Sequence, residues 1–357
     1  MLIVFVALIT LVNKEEILED KKEVEEVTNP YLPNGFAYVE DTNLKTGLTI
    51  EDSSGNQYVW IVVPQTLEVY RTSGLNIIDF TDEDYITIEY DLHEYSLDYR
   101  KCTMFKDGFS THSFIDKYAP NDFGSITGLS EKQYYELKNK MLKSIYQNGG
   151  FYIGKYETGI LDSYRKSAVT PLKKPVIQAN AYPYNFIECS EAQTLASHME
   201  TGEYTSSLMF GLQWDLVLKY LETRGIKQEE LNTDSTNWGN YYNSLYTITN
   251  TNSKYLKIDN GDDFFGIKDD WYNGAYGPKT TTEQIILSTG ASETFSKMGI
   301  YDLAGNVWEW TLECGNLQST ITKRGDDDYF DKTCQTSDRL GNDGYADVYT
   351  GFRVTIY

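Results

Sequence analysis

After Gly225 the chain consists mainly of Gly, Asn, Asp, Thr and Tyr, and periodic apolar stretches become scarce. The helical signals lie upstream. Ser130 with Gln133 reads as a capping box, and Tyr134, Leu137, Met141, Leu142 and Ile145 follow at helical spacing until Gly149-Gly150 stops them. A second helix fits Ser190 to Met199. A third fits Phe210 to Glu222, where Leu212, Leu216, Val217 and Tyr220 share a face. Strand-like runs occur at Thr46 to Ile50, Tyr58 to Val63 and Phe151 to Tyr156; a polar turn at Asp52 to Asn56 separates the first two. The unbroken apolar run Val59 to Val63 predicts a strand buried on both faces. A few helices followed by a loop-rich aromatic half predict an α+β domain whose binding face is built from loops on a small sheet.

Residues 65–130 are irregular, polar and Tyr-rich, and read as an insertion into the globular part, residues 33–357. Residues 14–32 read as a charged stalk or helix broken by Asn29-Pro30 and Leu32-Pro33. Residues 1–13 are an apolar segment ending at Asn13. As a helix its first twelve residues, apolar but for Thr10, are too short for a hydrocarbon core of about 30 Å. The favoured reading is the rear part of an export or anchor helix, giving membrane anchoring through the N-terminus; the alternative is an apolar strand packed in the domain.

A length of 357 residues allows a large core, and the formal charge of −22 repels phosphate backbones, which argues against nucleic acid as a partner. Thirty Tyr among many Asp and Asn suit Ca²⁺ or polar ligands such as sugars and peptides, or serve solubility alone. Cys102, Cys189, Cys314 and Cys334 are widely spaced, without CxxC or a zinc rhythm, and nothing demands a disulfide. His93, His112 and His198 have no likely ligand beside them in sequence, so a histidine-rich metal site or a Ser-His-Asp triad has little material.

The most specific stretch is Gly299-Ile-Tyr-Asp-Leu-Ala-Gly-Asn-Val-Trp-Glu-Trp310. Asp302 and Glu309 supply two carboxylates, and Gly305 lets the loop between them curl so that carbonyls face inward, an oxygen set that suits Ca²⁺. The other reading is a buried strand-turn packed by Trp308 and Trp310, with Glu309 paired to an arginine. This stretch is similar to the G-L-Y-(D/N)-hydrophobic-x-G-N-V-W-E-W signature of formylglycine-generating-enzyme (sulfatase-modifying-factor) domains. Further matches follow in the family's order. Gly55-Asn-Gln-Tyr-Val-Trp-Ile61 resembles the opening strand and Gly150-Phe-Tyr-Ile-Gly-Lys-Tyr-Glu157 a later one. Lys174-Pro-Val176 takes the place of the x-P-V element. Ser207 to Asp215 resembles a helix start that has lost its Arg and Pro, and Gly351-Phe-Arg353 matches the closing G-F-R. The resemblance implies a C-type-lectin-like fold, loop-rich, with small antiparallel sheets and a few helices. It also implies Ca²⁺ ligated by Asp302, Glu309 and the carbonyls of Gly305 and Val307.

The enzymes of this family need two cysteines separated by four residues, shortly after a Gly-Gly, to bind copper(I) as thiolates. Here the Gly-Gly is Gly325-Asp326, and the two positions fall near Phe330 and Gln335. Cys334 lies beside one of them, alone, so copper is not expected and Cys334 would be catalytic only if an enzyme reading held. The H-x-x-x-H-x-E helix of the related iron enzymes is absent from the sequence as well.

From Asp326 to Thr350, fifteen of 25 residues are Asp, Tyr, Asn, Ser or Thr. Tyr offers rigid amphipathic contact area and small polar residues adapt their hydrogen bonds, as in antibody paratopes. This arrangement resembles the variable proteins of diversity-generating retroelements, and it nominates Tyr329, Asp331, Tyr345, Asp347 and Tyr349 as contact residues. The leading expectation is a non-catalytic ligand-binding domain, displayed at the cell surface or secreted, that recognises a protein or glycan. The alternatives are a formylglycine-generating, sulfatase-activating oxidoreductase and a structural or pilus-like surface subunit.

Overall fold

The structure is a computed structural model that describes residues 30–100, 116–118, 120–121, 124–199, 202–258, 266–314, 320–327 and 334–357. The apolar segment 1–13 and nearly all of the stalk lie outside the described residues, as does Cys102. No helix among the described residues is long and apolar enough to cross a membrane.

The architecture is α+β with several small sheets. The largest has six strands in the order Phe36–Tyr38, Thr49–Asp52, Gln57–Val62, Gly150–Gly154, Val354–Ile356, Ser206–Leu208, and every pairing is antiparallel. The closing strand is therefore interior: Val354 faces Leu208 while Thr355 faces Ile153. A second sheet orders Arg339–Asn342, Ile321–Arg324, Trp308–Cys314, Thr350–Phe352, and its last pair is parallel. Lys254–Lys257 pairs with Tyr272–Asn273 on one side and Ile285–Leu287 on the other. As the apolar run predicts, Val59 to Val63 is buried throughout. The polar turn before it closes on Asp52, whose Oδ1 accepts from the N–H groups of Ser54 and Asn56.

The three helices read from periodicity are present as Glu131–Asn148, Cys189–Met199 and Gly211–Thr223. Ser130 and Gln133 form the reciprocal capping box, and Gly149 ends the first helix in the left-handed region at φ 70°. Ser130→Ala is expected to lower stability by about 1 kcal/mol, read as a shift in urea midpoint; no shift would mean this helix end contributes nothing to the transition.

Residues 65–130 are less irregular than the sequence suggests. Asp82–Tyr95 is a helix capped by Thr81 and Asp84, and its acidic first turn complements the helix dipole. Its Tyr and β-branched content weakens the helical signal, and only Ile88, Asp91 and Leu92 of this helix are buried. It packs on Glu131–Asn148 and Gly211–Thr223, so the core extends into this region.

Candidate functional site

Every residue from Ile300 to Trp310 is buried. Met298, Asp302 and Asn306 have positive φ, as does Gly305. A Cβ on Gly305 would sit 2.3 Å from the Asn240 carbonyl oxygen, so only glycine fits this crossing. Asn306 uses its whole amide. It donates to Glu157 Oε2 (2.7 Å) and the Leu287 carbonyl (3.2 Å), and accepts from Leu287 N–H (2.8 Å) and Asn240 Nδ2 (2.9 Å).

Three buried carboxylates surround this loop. Glu309 receives Arg353 as a fork: Nε lies 3.0 and 3.1 Å from its two oxygens, and Nη2 lies 2.6 Å from Oε1. The remaining Arg353 donors reach the carbonyls of Gly154 (2.8 Å) and Tyr301 (2.9 Å). Asp302 Oδ2 accepts from Gly290 N–H at 2.6 Å. Glu157 is buried and its Oε1 has no hydrogen-bond partner. Burial pushes Asp302 up to about 7, against the pull of the Gly290 N–H and Arg353. Burial, then the charges of Asp302 and Glu309, raises Glu157 well above the usual carboxylate range. One guanidinium thus stands against three carboxylates. Sequence reading anticipated both an arginine partner for Glu309 and an acidic loop. It missed Glu157, which the motif resemblance had placed in a strand without giving it a role.

A second buried ionic group ties the helices to the second sheet. Arg339 Nη2 lies 2.6 and 2.7 Å from the two oxygens of Asp215, and its Nε bonds Glu313 at 3.0 Å. Arg324 spans the same two acids at 2.8 and 3.2 Å. All four side chains are fully buried. Burial opposes charge on Asp215, but Arg339, Arg324 and Arg100 hold its carboxyl below the usual range.

Of the nominated contact residues, Tyr329 and Asp331 lie outside the described residues, as does Phe330. Tyr345 is 65% exposed. Asp347 and Tyr349 turn inward. Asp347 accepts from the Tyr349 N–H (2.9 Å) and lies 3.3 Å from Lys323 Nζ, while Tyr349 packs in a cluster with Trp308, Trp271 and Phe186. These two are framework in this fold, since the strand Thr350–Phe352 that follows must enter the sheet; Tyr345 alone of the described three is presented to solvent.

Cys189, Cys314 and Cys334 are buried and in no disulfide among the described residues. Burial, reinforced by Asp326, pushes the Cys334 thiol up to about 12, and burial also raises Cys189 and Cys314. Gln335, the other position aligned with a catalytic cysteine, is buried.

The expectation that no histidine stands beside another ligand is corrected at His93. Among the described residues, Glu89, His93 and Asp116 form the one group of three such side chains whose ligand atoms all lie within 4.8 Å of one another. Glu89 and His93 are one helical turn apart, a spacing visible in the sequence; Asp116 is brought in by the fold. Lys138 already neutralises Glu89 at 2.7 Å, and both Asp116 oxygens cap the Gly211–Thr223 helix through Gly211 and Leu212 N–H.

Compared with models of known protein families the chain matches none, and no curated protein matches it either.

Proposed function

We propose that this chain is a non-catalytic binding domain of the formylglycine-generating-enzyme superfamily, on a C-type-lectin-like frame, displayed at the cell surface or secreted. Ca²⁺ would be held by Asp302 and Glu309 with the carbonyls of Gly305 and Val307, as the resemblance implies. What supports a cation is the excess of buried carboxyl groups at this loop, Asp302, Glu157 and Glu309, over the single guanidinium of Arg353. Bound Ca²⁺ would neutralise the excess of carboxylates over Arg353 and stiffen the loops. The ligand would be a protein or glycan.

The observation that carries the non-catalytic reading is the lack of a thiol pair: the two positions aligned with the copper-binding cysteines are Phe330 and the buried Gln335, and Cys334 stands alone beside them. The test is incubation of the full chain and copper with a cysteine-containing sulfatase peptide, with aldehyde formation followed by mass spectrometry. No aldehyde is expected. Turnover that disappears in Cys334→Ser would establish the oxidoreductase instead.

A further inference from the structure

We infer that Tyr164, Tyr182 and Trp271, together with Arg165 and Lys254, form a binding site for an acidic sugar residue. The inference rests on the binding-domain reading above and gives it a ligand class.

The first observation is an arginine without an acid. Arg165 is buried, and its Nη2 donates to the carbonyls of Ala168 (3.0 Å) and Phe186 (2.8 Å), yet its Nε and Nη1 have no hydrogen-bond partner. Among the described residues no carboxylate lies within ion-pair distance of it, in contrast to Arg324, Arg339 and Arg353. Tyr184 gives it partial compensation, through a ring face 5.7 Å from the guanidinium carbon and a hydroxyl near enough to feel its charge, but supplies no anion. A buried guanidinium with unfilled donors calls for an anion.

The second observation is independent of the first. Trp271 Nε1 is also buried without an acceptor. Its ring meets Tyr182 at 5.1 Å and Tyr164 at 6.3 Å, and those two rings lie 5.3 Å apart. Phe186, whose carbonyl holds Arg165, packs in the same cluster as Trp271, with Tyr164 and Tyr182 against it. The two tyrosines remain partly exposed, and Lys254 Nζ lies 4.9 Å from the Tyr182 ring centre. Aromatic faces match the C–H faces of a pyranose, while indole N–H and cationic N–H donors match its hydroxyl and carboxylate oxygens.

The third observation is charge. In a chain of net −22, the stretch from Ser163 to Ile187 contains Arg165, Lys166, Lys173 and Lys174 and no Asp or Glu. Asp270 approaches this face, but Lys166 (2.7 Å) and the Tyr164 hydroxyl (2.5 Å) engage it. An anionic ligand that avoided the rest of this acidic molecule would be admitted here.

The test is a titration of the full chain, followed by tryptophan fluorescence and calorimetry, with a short oligogalacturonate, a neutral maltooligosaccharide and a polyglutamate peptide. Binding of the oligogalacturonate alone is expected, weakened at least ~10-fold in both Tyr164→Ala and Arg165→Gln. Should Arg165→Gln fail to fold, Lys254→Gln takes its place. Failure of the wild type to bind oligogalacturonate, or equal binding of the neutral sugar, overturns the assignment. Equal binding of polyglutamate overturns it in favour of an acidic peptide. Sugar binding lost in Tyr345→Ala but kept in Tyr164→Ala would retain the binding domain and reject this site.

Discussion

Arg324→Ala is expected to lower unfolding free energy by about 3–5 kcal/mol, a large part of what a domain of this kind possesses. The substitution leaves Asp215 and Glu313 fully buried with Arg339 as their remaining full partner, and it strips the Asp338 carbonyl of its Nε donor at 3.1 Å. Arg324→Lys should rescue little, because one ammonium cannot span two carboxylates as the planar fork does. In Arg324→Met with Glu313→Met much of the loss should return, since one acid leaves with one arginine and the Arg339–Asp215 pair remains balanced. Urea denaturation of the four proteins measures this. A loss below about 1 kcal/mol for the alanine variant would show that solvent reaches the group.

The second large effect concerns pH and Ca²⁺. Asp302 has a folded-state value of about 7, above its ordinary 3.8, so the folded chain binds the proton more tightly than the unfolded chain. Its contribution to stability is full below the unfolded value and is lost as pH rises through about 7. Without divalent cations the chain should therefore lose stability between about pH 4 and pH 7, by an amount on the order of 4 kcal/mol from Asp302 alone. Glu157 acts in the same direction, as do Asp116 and Asp326, whose carboxyls burial also raises. Ca²⁺ favours the charged carboxylate and should flatten the part of the slope that belongs to Asp302. Urea midpoints with Ca²⁺ and with chelator, at about pH 4.5 and about pH 7.5, measure both effects. In Asp302→Asn the slope should be shallower and Ca²⁺ without effect. A wild type that ignores Ca²⁺ at the higher pH would reject the cation site.

Local pattern made the helices legible. Ser130 and Gln133 announce a helix start because capping is completed within one turn, and Leu212, Leu216 and Val217 announce a buried face because their spacing is that of the helix itself. The Asp82–Tyr95 helix escaped because much of its length faces solvent and its Tyr and β-branched residues weaken the helical signal. Tertiary pairing was legible only where a motif carried it. Glu309 and Arg353 are 44 residues apart, and the spacing within Gly299 to Trp310 pointed to the acid but not to its guanidinium. Glu157, 149 residues from Asn306, gave no local sign of its place. Asp347 and Tyr349 misled for the opposite reason: a polar, aromatic composition reads as surface, yet their hydrogen bonds and ring packing are satisfied inside. Arg165 was invisible as a site, because an unfilled donor is a property of three dimensions only.

The interior position of Val354–Ile356 has a consequence for biogenesis. During synthesis from the N-terminus, the strands on either side of it exist long before the segment that joins them. Until residue 356 has been made, the Ser206–Leu208 strand lacks its sheet neighbour and Gly150–Gly154 exposes a free edge. In that interval the free edge is open to pairing with other chains, so the joining strand also protects the sheet from aggregation.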